Sequence, residues 1–175
     1  AQPASLQLPA VQAAYLNLAN PAQMIGSLNG DRQEIWFRNS ITGPDQLRQR
    51  VAFALSEIMV VSQQSTLQNM PYALADYYAL LARDAFGDFR KLIEDVTLHP
   101  AMGVYLNMLG NQKPDTAKNI RPDENYAREL MQLLTIGLVE LNADGTVKTD
   151  AQGQPRTVVN IEGATGILIN ITGGP

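Results

Sequence analysis

Arg121-Pro122-Asp123-Glu124-Asn125-Tyr126-Ala127-Arg128-Glu129-Leu130-Met131-Gln132-Leu133-Leu134-Thr135-Ile136-Gly137 is a full helix specification. Proline is tolerated in a first turn because its missing N–H would be unpaired there, so Pro122 marks a start. Gly137 marks a stop just past the last turn. Tyr126, Leu130, Leu133 and Leu134 recur at helical spacing and make one apolar stripe. Glu124, Asn125, Arg128 and Gln132 fall on the other side. Glu124 and Arg128 pair in the favourable order, worth ~0.3–0.5 kcal/mol when exposed. Asp123 lies over the stripe, near Leu130 and Leu134, and Glu129 borders it. A carboxylate there needs a partner or a pocket, and Arg121 or Arg128 is the expected partner.

Working outward, most of the chain before Gly137 reads as helices with clear punctuation. Pro9 opens a first helix through Val11, Tyr15 and Leu18 to Asn20-Pro21. Asp31 with Glu34 reads as an acidic capping box ahead of a short second helix carrying Ile35-Trp36-Phe37. Thr42-Gly43-Pro44-Asp45 opens a third that runs to about Ser62. Leu47, Val51, Leu55 and Ile58 on one face and Phe53 and Val60 on the other give it the pattern of a central helix covered on both sides. Arg50 and Glu57 lie on nearly the same line of that helix, placed to share a buried network. Pro71 starts a fourth, with Leu74, Tyr77, Tyr78, Leu81 and Ala85 on one face and Gly87 at its end. Asp88 caps a fifth, with Phe89, Leu92, Ile93 and Val96 inside. His99-Pro100 restarts the chain as a sixth, carrying Met102, Tyr105, Leu106 and Leu109 and stopping at Gly110.

After Gly137 the texture changes. Leu138 to Leu141, Asn142-Ala143-Asp144-Gly145-Thr146 and Val147-Lys148-Thr149 read as a hairpin or a turn-rich excursion. Asp150 to Pro155 is another turn, and residues 157–160 and 166–172 read as short strands. The expected fold is mainly α: a single-domain bundle of about seven helices over residues 1–137. Residues 138–175 form a turn-rich or β-like extension, packed on the bundle or partly foreign to it.

Composition narrows the function classes. The 175 residues suffice for one domain with a core, and 45% hydrophobic against 17% charged marks a globular chain. The net charge is −4 and no basic stripe appears, which argues against nucleic acid as a partner. There is no cysteine, so thiol nucleophiles, disulfides and cysteine zinc sites are excluded. No apolar run approaches the ~18–20 residues of a membrane span. The opening Ala1-Gln2-Pro3-Ala4 lacks Met and reads as a processed chain or an internal piece of a longer one.

Five ordered segments carry a resemblance. They are Thr42-Gly43-Pro44-Asp45-Gln46-Leu47-Arg48-Gln49-Arg50-Val51-Ala52-Phe53-Ala54-Leu55-Ser56-Glu57, Ala85-Phe86-Gly87-Asp88-Phe89-Arg90, Val96-Thr97-Leu98-His99-Pro100-Ala101-Met102, the run from Pro122 to Gly137, and Leu141-Asn142-Ala143-Asp144-Gly145-Thr146. Through them residues of roughly 5–155 resemble the bacterial "domain of unknown function 1800" family. The resemblance implies a fragment of a longer, exported or periplasmic bacterial protein, and it implies no reaction. The tail departs from the family. Ile161-Glu162-Gly163-Ala164-Thr165-Gly166-Ile167-Leu168-Ile169-Asn170-Ile171-Thr172-Gly173-Gly174 is similar to an internal strand segment of the bacterial tubulin homologue FtsZ. A GTPase of that class also needs a glycine-rich phosphate loop, which this chain lacks. The tail reads as a fusion, a metagenomic splice or a coincidence.

Each polar candidate has a plain structural alternative. His99, the single histidine, sits where a ring nitrogen caps the following helix, and acid–base work is its rival reading. Glu94-Asp95 reads as a solvated face. Asp123 and Glu129, with His99, are the candidate catalytic set, and Arg121, Asn125, Arg128, Arg50 and Glu57 the candidate binding set. A buried ion network between helices is the structural alternative for these residues. Asn142 to Thr146 resembles a calcium loop but lacks the late bidentate Glu, so it reads as a plain turn. Tyr72, Tyr77, Tyr78 and Tyr105 line either a sugar groove or the core. No metal and no cofactor is expected. The expected function is a helical binding or structural module of a larger exported protein, with a hydrolase or metal-dependent enzyme as the alternative. The expected partner is a second copy, through apolar surface exposed by truncation.

Overall fold

The structure is a computed structural model, and it describes residues 5–16, 24–135 and 137–157, with residues 15 and 24–27 described in backbone only. Seven α-helices occur among the described residues: α1 (Leu8–Leu16), α2 (Met24–Thr42), α3 (Gln46–Ile58), α4 (Pro71–Asp84), α5 (Phe89–Leu98), α6 (Pro100–Tyr105) and α7 (Asn125–Gln132). A 3-10 turn, Thr66–Asn69, precedes α4. The fold is mainly α, and the chain divides into two compact units, Ala1–Tyr105 and Leu106–Pro175.

In the first unit α4 is the central rod. It packs against α1, α2, α3, α5, α6 and the 3-10 turn. Eight of its 14 residues are buried, and the alanines among them, Ala75, Ala79 and Ala82, let neighbouring helices approach on several sides. Pro71 opens it as expected. The Arg48 guanidinium closes its far end, donating to the carbonyls of Ala82 (2.8 Å) and Arg83 (3.1 Å) while stacking 4.9 Å over the Phe86 ring. Those carbonyls have no partner within the helix, and a cation suits the negative end of its dipole.

Two expectations about α2 and α3 are corrected. Asp31 and Glu34 do not cap a short helix; they lie inside a 19-residue α2. Leu28, Arg32 and Ile35 share one buried face, and Leu28 and Ile35 form a core cluster with Val11 of α1 and Ala75 of α4. That packing offsets the roughly 1 kcal/mol propensity cost of Gly30 within the helix. The third helix is neither central nor covered on both sides. It ends at Ile58, its buried residues are Gln49 and Ala52, and Leu47, Phe53, Ile58 and the following Val60 are exposed. Only a narrow face of small or polar residues is buried; α3 packs against α2 and α4, and Phe53 meets the Trp36 ring of α2 at 5.8 Å. Arg50 and Glu57 are exposed and share no buried network.

The turn between α2 and α3 is tight. Gly43 N–H donates to the Asn39 carbonyl (3.0 Å), and a Cβ at Gly43 would lie 2.5 Å from that same oxygen. Asp45 does not cap α3 with its side chain. Its carboxylate accepts from the Ser5 N–H (2.8 Å) and from Gln49 Nε2 (3.1 Å), while Gln49 and Asn39 both donate to the Ser5 carbonyl. The polar residues around Gly43-Pro44 thus tie down the segment ahead of α1. Burial raises the Asp45 pKa, but the Ser5 and Gln49 bonds outweigh it and leave it below the ordinary value.

Asp88 caps α5 by accepting from the Lys91 N–H (3.1 Å), as expected. Within α5, Leu92 and Val96 are buried, whereas Phe89 is exposed. The sixth helix is shorter than its apolar spacing suggests. It stops at Tyr105, Asn107 and Gly110 take positive φ, and Leu109 is exposed.

In the second unit, Asn111 brackets Asp123: its Oδ1 accepts the Asp123 N–H (2.9 Å) and its Nδ2 donates to the Asp123 carbonyl (2.7 Å). The Asp123 carboxylate accepts the Asn125 N–H (2.8 Å). These bonds hold residues 122–124 outside the helix, so α7 starts at Asn125 rather than at Pro122. The helix ends at Gln132, short of the expected stop at Gly137, which takes φ +95 and donates to the Met131 carbonyl. Beyond it, three short segments bridge one another in antiparallel fashion: Val139 with Thr157, Leu141 with Val147, and Thr149 with Pro155. Glu140 sits between Arg156 (3.0 Å) and Lys148 (3.7 Å). Gly145 and Gly153 take positive φ in the two turns. Residues 17–21 of the expected first helix, the strands expected beyond Thr157 and the FtsZ-like tail lie outside the described residues.

Candidate functional site

The acidic start of α7 is an open face. Asp123 is exposed and bonds the Asn125 N–H instead of an arginine, so the expected Arg121 or Arg128 partner is corrected. Its carboxylate has no need of one, because solvent and a backbone donor satisfy it. Arg128 pairs with Glu124 at 3.0 Å, both partly exposed, as the spacing predicts. Arg121 is exposed and Asn125 half-buried. Glu129 is half-buried and forms no ion pair among the described residues. Among those residues no group of three or more His, Asp or Glu side chains converges as a metal site. Asn142 to Thr146 is a turn closed by Asp144, which accepts from the Thr146 N–H and hydroxyl.

His99 is buried at the head of α6. Its Nδ1 accepts the Ala101 N–H (3.1 Å), the capping role expected of it. That bond fixes the tautomer. The proton is on Nε2, which donates to Asp76 Oδ2 at 3.3 Å. The lone pair is therefore spent on a backbone donor and not free to take a proton from a nucleophile. The Tyr77 ring stands edge-on 5.2 Å away, and its hydroxyl donates to the Met59 carbonyl (2.7 Å). Tyr77 is fully buried and belongs to the core.

Burial holds the His99 pKa below the ordinary value; Asp76 pulls it up and Arg83 pushes it down. The unfolded chain then binds a proton that the folded one resists. This contribution to stability stands in full above about pH 6.5 and is lost as the pH falls through the lower folded value. His99→Asn keeps a capping acceptor but does not titrate. Urea midpoints measured from pH 7 to pH 5 are expected to fall more steeply for the parent chain than for His99→Asn. His99→Ala is expected to lose about 1 kcal/mol more at pH 7 through the missing cap.

The remaining polar feature of the first unit was not legible as a site. A cavity of about 580 Å³ is lined by Gln63, Gln64, Ser65 and Gln68, on the loop and 3-10 turn between α3 and α4. The loop is stitched: Ser65 donates to the Ser62 carbonyl and accepts the Leu67 N–H, and the Gln64 N–H bonds the Ser62 hydroxyl. Behind the lining stand two buried polar residues of α2. Asn29 donates to the Gln68 carbonyl (2.8 Å), and its Oδ1 has no hydrogen-bond partner among the described residues. Arg32, 6% exposed, donates from Nη2 to Gln63 Oε1, while its Nε has no partner among them. Gln33 donates to the same Gln63 oxygen (3.2 Å). The Arg32 guanidinium lies 5.4 Å over the Tyr78 ring. Burial lowers its pKa, with Tyr78 acting in the opposite sense. No carboxylate pairs with Arg32 among the described residues, and residues 1–30 hold no acid at all. One signal marked it: Arg32 falls between Leu28 and Ile35 at helical spacing, an arginine on an apolar stripe.

With the geometry in hand, comparison with known proteins adds a family and no activity. The family described as protein of unknown function (DUF1800) matches residues 2–154. The chain belongs to this family. No curated protein and no solved structure matches the chain. The family match covers α1 to α7, and with them the polar cleft, His99 and the start of α7. The family carries no assigned reaction that would choose among them.

Proposed function

We propose that this member of the family is a helical binding or structural module of a larger exported bacterial protein, with the glutamine-lined cleft as its ligand contact. The cleft carries the reading: amide and hydroxyl groups on a stitched loop line an open depression, backed by buried polar atoms that lack partners among the described residues. The candidate catalytic groups support it from the other side, since His99 and Asp123 are occupied with backbone N–H groups. Export and a longer parent rest on the family resemblance. The exposed side chains of Phe37, Ile41, Leu47, Phe53 and Ile58 on α2 and α3 support a second copy as partner. Among the described residues no helix is long and apolar enough to cross a membrane.

The alternative, a hydrolase or metal-dependent enzyme with an acidic site around Asp123 and Glu129, is favoured by one observation. Neither Asp123, ahead of α7, nor Glu129, within it, is neutralised by an ion pair among the described residues. Thermal unfolding with Mg²⁺, Mn²⁺ or Zn²⁺ separates the two readings, because a ligand that binds only the folded state raises the midpoint. No saturable rise is expected. A rise that disappears in Asp123→Asn or Glu129→Gln would establish the enzyme reading instead.

A further inference from the structure

We infer that the cleft recognises a small carboxylate-bearing ligand, which takes the place of the Gln63 amide on the side edge of the Arg32 guanidinium. This deepens the binding-module reading and rests on it. The covalent geometry of arginine puts Nε–H and one Nη2–H side by side, matching the two oxygens of a carboxylate. In this structure that edge is half used. Gln63 Oε1 takes Nη2, and Nε, buried, has no partner among the described residues. The one Gln63 oxygen already accepts from both Arg32 Nη2 and Gln33 Nε2, and the amide has no second oxygen to offer Nε. A carboxylate brings two oxygens to the edge, and it also supplies the counter-charge that this buried guanidinium lacks among the described residues.

The surroundings suit an exchange of this kind. Gln63 is only half-buried and lines the cavity, so its side chain can withdraw into open space and uncover the edge. Gln33 Nε2, which now donates to Gln63 Oε1, would donate to the incoming carboxylate as a third hydrogen bond. The Tyr78 ring lies against the guanidinium and holds it in place. Gln64, Ser65 and Gln68 are left to meet the rest of the ligand with neutral polar groups. No acidic side chain lines the cavity among the described residues, so an incoming anion meets no repulsion from its walls.

The full chain is titrated with succinate and with its neutral analogue succinamide. Inorganic phosphate at equal ionic strength is the comparator. NMR follows the Arg32 Nε–H and the Gln63, Gln64 and Gln68 side-chain amides. Succinate is expected to bind saturably, shift the Arg32 Nε–H signal and bind more tightly than succinamide or phosphate. Arg32→Met keeps the bulk of the side chain without its charge and is expected to weaken succinate by about 10- to 100-fold. Gln63→Glu tethers a carboxylate on the same edge. It is expected to raise the thermal midpoint and abolish the succinate response, which checks the inference even if Arg32→Met fails to fold.

Equal binding of succinate and succinamide, unchanged by Arg32→Met, would overturn the carboxylate assignment and leave the cleft as a neutral polar site. Tighter binding of phosphate than of succinate would overturn the carboxylate assignment as well. A lower midpoint in Gln63→Glu would overturn the edge geometry. Silence of all four side chains with every probe would remove the cleft from the binding reading altogether.

Discussion

Tyr77→Ala is expected to cost about 3–5 kcal/mol of folding stability, the range for deleting a large buried aromatic. Tyr77 has no exposed surface and sits on the central helix. Its ring meets the edge of His99, and its hydroxyl satisfies the Met59 carbonyl just past the end of α3. One side chain thus joins the end of α3 to the head of α6 across α4. Truncation leaves a cavity and an unpaired buried carbonyl together. Tyr77→Phe separates the two effects: it keeps the ring, removes the hydroxyl and is expected to cost about 1–3 kcal/mol. Urea unfolding reads both, with the midpoint moving and the slope unchanged if the denatured state is the same. A Phe variant as damaging as the Ala variant would place the whole effect in the hydrogen bond.

Leu28→Ala is the second large effect, expected at about 2–5 kcal/mol. Leu28 is fully buried in the cluster with Val11, Ile35 and Ala75, where α1, α2 and α4 meet. Leu47→Ala is its counterpart. Leu47 is 69% exposed on α3 and is expected to change stability by no more than about 0.5 kcal/mol. The pair sets tertiary packing against sequence pattern. Leu28 precedes the Asn29-Gly30-Asp31 stretch that looks like a helix boundary, whereas Leu47 opens a run that looks like core on every side. If the two costs came out reversed, the long α2 and the one-sided α3 would both be wrong.

The candidate site shows the same division. The cap at His99 was legible because its acceptor and the N–H it serves are two residues apart. The Glu124–Arg128 pair was legible because it spans one helical turn. The cleft was not, because Arg32 meets Gln63 across 31 residues and Asn29 meets Gln68 across 39. Reading Asp31 as a cap also placed Arg32 at a helix start, where an arginine attracts no notice. Asp123 failed in the opposite direction. Its place over an apolar stripe implied burial, but Asn111 and the Asn125 N–H hold it ahead of the helix and in water.

By itself the sequence determined the helical class, the start at Pro71, the caps at Asp88 and His99, and the turns at Gly145 and Gly153. Each depends on groups within a few residues, through ring geometry, a side-chain acceptor or a positive φ. Tertiary structure alone decided that α4 rather than α3 is central, that α2 runs unbroken through Gly30, that α7 starts late, and that Arg32 is buried beside Gln63. Apolar periodicity shows that a face is able to be buried. Which face is covered depends on how closely another element can approach, and the alanines of α4 and the residues that line the cleft settle that at long range.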